Sequence, residues 1–185
     1  ISSDGLVFAI SGAAPIGENT TIWLDTDLDR STGHQIWGFA GGADYNIEIA
    51  ADGTAALYTG AAGDVFIADL EIRYNDDATV AEVAVPLAAA GITDAVRVYA
   101  DINNEAYLPG DYSNVDLIVG NDEQTPPDPV SVGALALDGD LTDWEGTTPL
   151  FTAEDGSTIR GQITGDSAVF ALSALVCRCT LVCLM

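Results

Sequence analysis

Carboxylates at alternate positions of a single turn are the chemically sharpest feature of this chain. In Trp23-Leu24-Asp25-Thr26-Asp27-Leu28-Asp29-Arg30-Ser31-Thr32-Gly33 an alternating apolar stretch runs straight into Asp25, Asp27 and Asp29. A hard cation such as calcium takes about 6–8 oxygen ligands, and acids spaced two apart can wrap a turn around one centre. Carboxylates held this close repel one another unless a cation or water separates them. The spacing therefore points to calcium as a bound cofactor. It is not an EF-hand, because the sixth position is Arg30 where the hand needs glycine, and the twelfth is Ile36 where it needs glutamate. The plainer alternative is a solvated acidic turn that closes an edge strand.

Other chemistry is thin. Trp23, Trp37 and Tyr45 lie near the acidic turn in sequence, and exposed rings there could stack on sugar faces. An all-β core usually buries its tryptophans, so ring exposure discriminates between a sugar platform and a scaffold. Haem would need axial His or Met ligands, and the chain has only His34 and Met185. No Ser-His-Asp order, nucleophile elbow or histidine cluster is present, so no enzymatic activity is expected. Pairs of acids prove nothing in so acidic a chain.

Charge narrows the partners. Asp and Glu number 29 against five Lys and Arg, a net charge of −24. The five bases are Arg30, Arg73, Arg97, Arg160 and Arg178, and there is no lysine. A basic footprint for nucleic acid or an anionic membrane is excluded, as are Schiff-base chemistry and a P-loop. No apolar run is long enough to span a bilayer. The sequence starts at Ile1 without a signal segment, which reads as a processed or excised chain. Cys177, Cys179 and Cys183 all fall near the C-terminus, in a spacing that fits no zinc or redox template.

The elements that must position the acidic turn are short alternating runs. Leu6–Ser11, Thr20–Asp25, Tyr45–Ala50, Val65–Tyr74, Val80–Val85, Val96–Ala100 and Val115–Val119 are separated by Gly, Asp, Asn and Pro signals. In Ala68-Asp69-Leu70-Glu71-Ile72-Arg73-Tyr74 the polar and apolar residues alternate with period two, which wets one face and buries the other. The stretch after Pro86 allows one helical turn at most. The expected class is all-β, an antiparallel, jelly-roll-like β-sandwich.

Residues 1–120 read as the body of that sandwich, and 121–134, with Pro126, Pro127 and Pro129, as a stiff linker. Ile1–Gly12 recurs as Ile163–Ala174, with six of twelve positions identical. The chain thus spans about one period of a tandem array. Residues 135–174 are then the head strands of the next repeat, and 175–185 an atypical tail. The two copies of the repeated strand are expected to compete for one position, so that one is displaced or used at a junction.

The strings Ile22-Trp23-Leu24-Asp25-Thr26-Asp27, Gly42-Ala43-Asp44-Tyr45, Glu82-Val83-Ala84-Val85-Pro86-Leu87 and Leu137-Asp138-Gly139-Asp140-Leu141-Thr142-Asp143-Trp144 together resemble the family 9 carbohydrate-binding module and DOMON-related β-sandwich group. That resemblance implies metal oxygens from Asp25, Asp27 and Asp29, joined by Asp44. It also marks Asp138, Asp140 and Asp143 as a possible second metal group or as turn residues of the head. The group holds sugar-binding, haem-binding and purely structural members. The reading that follows is a secreted, calcium-stabilised structural or adhesive repeat, partnered by other copies of itself through head-to-tail strand exchange. Its rival is a polysaccharide-binding module of an exported enzyme.

Overall fold

The computed structural model describes residues 5–12, 14–93, 95–112, 116–120, 142, 151–152, 158–164 and 167–173. The linker 121–134, the acids Asp138, Asp140 and Asp143, and the tail 175–185 lie outside these residues. Among these residues twelve strands form: β1 (Gly5–Ser11), β2 (Thr20–Asp25), β3 (Tyr45–Ile49), β4 (Ala55–Thr59), β5 (Val65–Tyr74), β6 (Val80–Pro86), β7 (Ala95–Ile102), β8 (Ala106–Leu108), β9 (Ile118–Gly120), β10 (Phe151–Thr152), β11 (Thr158–Thr164) and β12 (Ser167–Ser173). A 3-10 turn spans Gly110–Tyr112, and no α-helix forms among the described residues.

The strands join in the order β10-β11-β12-β1-β6-β5-β4-β3-β2-β7-β8, with β9 also on β7. All pairings are antiparallel except that of β1 with β12. The sheet curls at β5. The first part of this ten-residue strand, Val65–Leu70, pairs with β4, and the last part, Glu71–Tyr74, pairs with β6. A register shift between Leu57 and Tyr58 accompanies the bend, as an irregularity that adds local twist does. The curl lays Val83 and Val85 of β6 into one cluster with Ile22, Leu24, Ile47, Leu57, Val96 and Val98. Each of these is almost fully buried.

Period-two alternation accounts for this. On β2, Ile22 and Leu24 point into the core opposite Ala100 and Val98 of β7. The alternate residues, Trp23 and Asp25 opposite Tyr99 and Arg97, share the other face. The tail of β5 behaves as its sequence predicts, with Leu70 buried, Ile72 and Tyr74 packed on the core, and Asp69, Glu71 and Arg73 exposed.

Two strands escape the sequence reading. Ala55-Ala56-Leu57-Tyr58-Thr59 lacks the β-branched density that signals a strand. It becomes β4 because the turn before it, where Asp52 Oδ1 accepts the Thr54 N–H at 3.0 Å, returns the chain onto β3. β8 is a three-residue addition to β7. β9 begins three residues later than the expected Val115–Val119 strand. The two copies of the repeated segment do not displace one another. β12 lies alongside β1, on the edge that β6 leaves free.

Candidate metal centre

Asp25 is the last residue of β2 and faces Arg97 of β7 across the ladder. The chain then leaves the sheet, turns, and returns as a small hairpin. His34 and Ala43 exchange backbone hydrogen bonds of 2.7 and 3.1 Å, and Trp37 and Ala40 close the tip with bonds of 3.1 and 3.0 Å. The hairpin delivers Asp44 back to the end of β2, where its N–H donates to the Leu24 carbonyl at 2.9 Å. This return brings oxygens of Asp25, Asp27 and Asp44 within 4.8 Å of one another, close enough to share one metal ion.

Each acid sits differently. Asp44 Oδ2 accepts the Thr26 N–H at 2.8 Å and the Thr26 hydroxyl at 2.9 Å, which pins the start of the turn. Asp27 is exposed and accepts the Asp29 N–H at 2.8 Å and the Thr32 hydroxyl at 3.0 Å. Asp25 is fully buried. Its Oδ2 pairs with Arg97, while its Oδ1 has no hydrogen-bond partner. Burial pushes the Asp25 carboxyl up to about 6, against the pull of Arg97 and with a further push from Asp27.

Asp29 is not among the three. Its Oδ1 accepts the Ser31 N–H at 2.9 Å and the Ser31 hydroxyl at 2.6 Å, closing a local turn. Those bonds hold its carboxyl below the usual carboxylate range. Alternate spacing brought Asp25 and Asp27 together, but the third member, Asp44, comes from 17 residues beyond Asp27.

Sequence reasoning also missed the cationic support. Arg97 donates to Asp25, to Asp116 Oδ1 at 3.0 Å and to the Leu28 carbonyl at 3.2 Å. Arg30 pairs with the same Asp116 and donates to the Tyr99 hydroxyl at 3.1 Å, its guanidinium lying over Phe39. Only the scarcity of bases hinted at this. Pairing Arg97 with Asp25 needs the β2–β7 register, which no local pattern encodes.

The three aromatic residues part company. Trp37 is 71% exposed at the hairpin tip. Trp23 is half-buried, and its ring stacks on His34 at 5.0 Å. Tyr45 is half-buried against the core. A groove of about 470 Å³ opens beside the acids, lined in part by Asp27, Asp44, Tyr45 and Thr59. His34 does not join the acids; its Nδ1 lies 3.0 Å from the Ala61 carbonyl.

Gly42 makes the return possible. Its φ is +87°, and an added Cβ would meet the Asp29 carbonyl at 2.7 Å and Asp25 Oδ2 at 2.9 Å. Gly42→Ala is expected to cost roughly 1–3 kcal/mol through the backbone conformation alone, with the collision in addition. Chemical denaturation checks this, with Gly17→Ala as the control, since a Cβ there meets nothing. Equal midpoints for the two variants would show that the hairpin tolerates a side chain.

Comparisons of the chain with protein-family models, with curated proteins and with solved structures found no match. A functional reading therefore rests on the residues and their geometry.

Proposed function

We propose that this chain is a calcium-stabilised structural or adhesive β-sandwich repeat of a secreted protein, without catalytic activity of its own. The observation that carries the calcium reading is Asp25 Oδ1, buried without a partner beside the carboxylates of Asp27 and Asp44. A buried carboxylate oxygen left unpaired is costly, and a cation shared with two further acids would remove that cost. The donors are all hard carboxylate oxygens with no nitrogen or sulfur among them, which favours calcium over zinc or copper. Arg97 offsets one of the three charges, so the site keeps a net attraction for a divalent ion. A net charge of −24 without lysine supports a calcium-rich, extracellular setting.

Calorimetric titration of chelator-treated protein with calcium tests the reading. Binding of one ion is expected, and Asp44→Asn should abolish it. No heat from metal-free, folded protein would overturn the proposal.

A second reading, a carbohydrate-binding module, is favoured by one observation: Trp37, 71% exposed on the same hairpin that builds the acidic site. Under that reading a neutral polysaccharide in an affinity gel should retard the protein, and Trp37→Ala should restore free migration. Equal mobility of both proteins across a broad polysaccharide set would retire it.

A further inference from the structure

The acidic site contains a cation of its own. Arg97 and Asp25 face one another across β7 and β2, and both are buried. The guanidinium holds Oδ2 of that carboxylate, which leaves Oδ1 for another partner. An ion gathered by Asp25, Asp27 and Asp44 therefore shares a carboxylate with a fixed positive charge, and a buried charge is poorly screened by salt. Arg97 is held where it is. Its other donors go to Asp116 Oδ1 and to the Leu28 carbonyl of the same turn. Asp116 is itself divided, because Arg30 pairs with the same oxygen. Asp27 and Asp44 instead line the open groove, where solvent reaches them.

We propose that Arg97 competes with calcium for Asp25 and holds the affinity of the site in the millimolar range, so that its occupancy follows the surrounding calcium concentration. This rests on the calcium reading and adds the regulation of that same site. Calcium sites are tuned over many decades by ligand charge and rigidity, and the weak ones, with dissociation constants of about 0.1–1 mM, serve extracellular modules. Three carboxylates opposed by one buried arginine still attract a divalent ion, but less than three carboxylates alone. Charges of +1 and +2 about 6 Å apart repel enough to shift a binding constant roughly tenfold even at the dielectric of bulk water, and by more in a buried setting. The same arginine spares Asp25 the full cost of burial when no ion is present. One residue thus supports the empty site and weakens the filled one, which is what a reversible site requires. The groove beside Asp27 and Asp44 gives the ion its way in and out.

Calorimetric titration of the chelator-treated full chain with calcium tests this. The unsubstituted protein is expected to bind with a dissociation constant of about 0.1–1 mM, and Arg97→Met to bind at least roughly tenfold more tightly. Arg73→Met is the charge control. Arg73 pairs with Glu71 on the exposed face of β5, so its loss removes the same positive charge and should leave the constant unchanged. The Arg97 effect should also persist in about 0.5 M KCl, where surface charges are screened. If Arg97→Met does not fold without calcium, Asp116→Asn reads the same competition with the opposite sign. Asp116 is exposed, and its loss leaves the Arg97 charge to Asp25, so binding should weaken about threefold in the same high salt. A submicromolar constant for the unsubstituted protein overturns the proposal. So does an unchanged constant in folded Arg97→Met, or in Asp116→Asn where that variant stands in for it. Equal tightening by Arg97→Met and Arg73→Met overturns it as well, since bulk charge then suffices. All of these outcomes leave calcium binding in place. Absence of binding in every variant removes the calcium reading and this inference together.

Discussion

Removing calcium is expected to lower the melting temperature by about 5–10 °C, and Asp27→Ala should abolish that response. An ion that binds only the folded state stabilises it by mass action, about 2.7 kcal/mol at a hundredfold excess over its dissociation constant. For a domain of this size each kcal/mol moves the midpoint by roughly 2–4 °C. Asp27 is the site's exposed member, so its loss removes a ligand without opening the core. General screening of so acidic a protein by any divalent salt is the competing explanation. Asp52→Ala separates the two. Asp52 is also an exposed turn aspartate, accepting the Thr54 N–H and hydroxyl at 3.0 and 2.7 Å, but it lies outside the trio. The Asp52 variant should keep the full calcium response. Superimposable melting curves in calcium and chelator, with the chelated protein assayed metal-free, would sink the idea.

Arg97→Met should be the most damaging single substitution around the site, costing about 3–5 kcal/mol in the metal-free protein at neutral pH. Arg97 is 5% exposed and Asp25 not at all, and removing one partner of a buried pair strands the other charge. The exposed Asp116 can turn to water, so most of the loss belongs to Asp25. Two rescues follow. Asp25→Asn in the Arg97→Met background replaces the stranded carboxylate by a neutral amide and should recover part of the stability. Acid should do the same. The Asp25 carboxyl titrates near 6 in the folded protein against an ordinary value of 3.8. Between those values the folded state holds more protons than the unfolded one, so stability falls as pH rises from about 4 to 6. Losing Arg97 removes an influence that favours the carboxylate and extends the fall to higher pH. The gap between Arg97→Met and the unsubstituted protein should therefore narrow toward pH 4. A gap that is constant between pH 4 and 7, measured by urea denaturation in chelator, would show that Arg97 acts through packing instead.

Much of the local structure is legible in the residues themselves. Thr20–Asp25 and Val65–Tyr74 are strands over the very spans their alternation predicts, because a period of two commits a segment to one wet and one dry face wherever it is placed. Asp25 and Asp27 belong together for an equally local reason: a single residue, Thr26, separates them at the start of one turn. The acidity and the missing lysine are likewise read from the residues before any folding is considered.

Tertiary structure decided the rest. Asp29, indistinguishable from Asp27 by spacing, finds Ser31 beside it and closes its own turn, while Asp44 arrives only because the 34–43 hairpin returns it to β2. Arg97 meets Asp25 through the β2–β7 register, and register is a property of two strands that neither strand carries alone. β4 exists because β3 and β5 flank it. The repeated segment shows the limit most plainly. Its duplication is visible in the residues, but β1 has two edges and only the assembled sheet determines which of them receives the second copy.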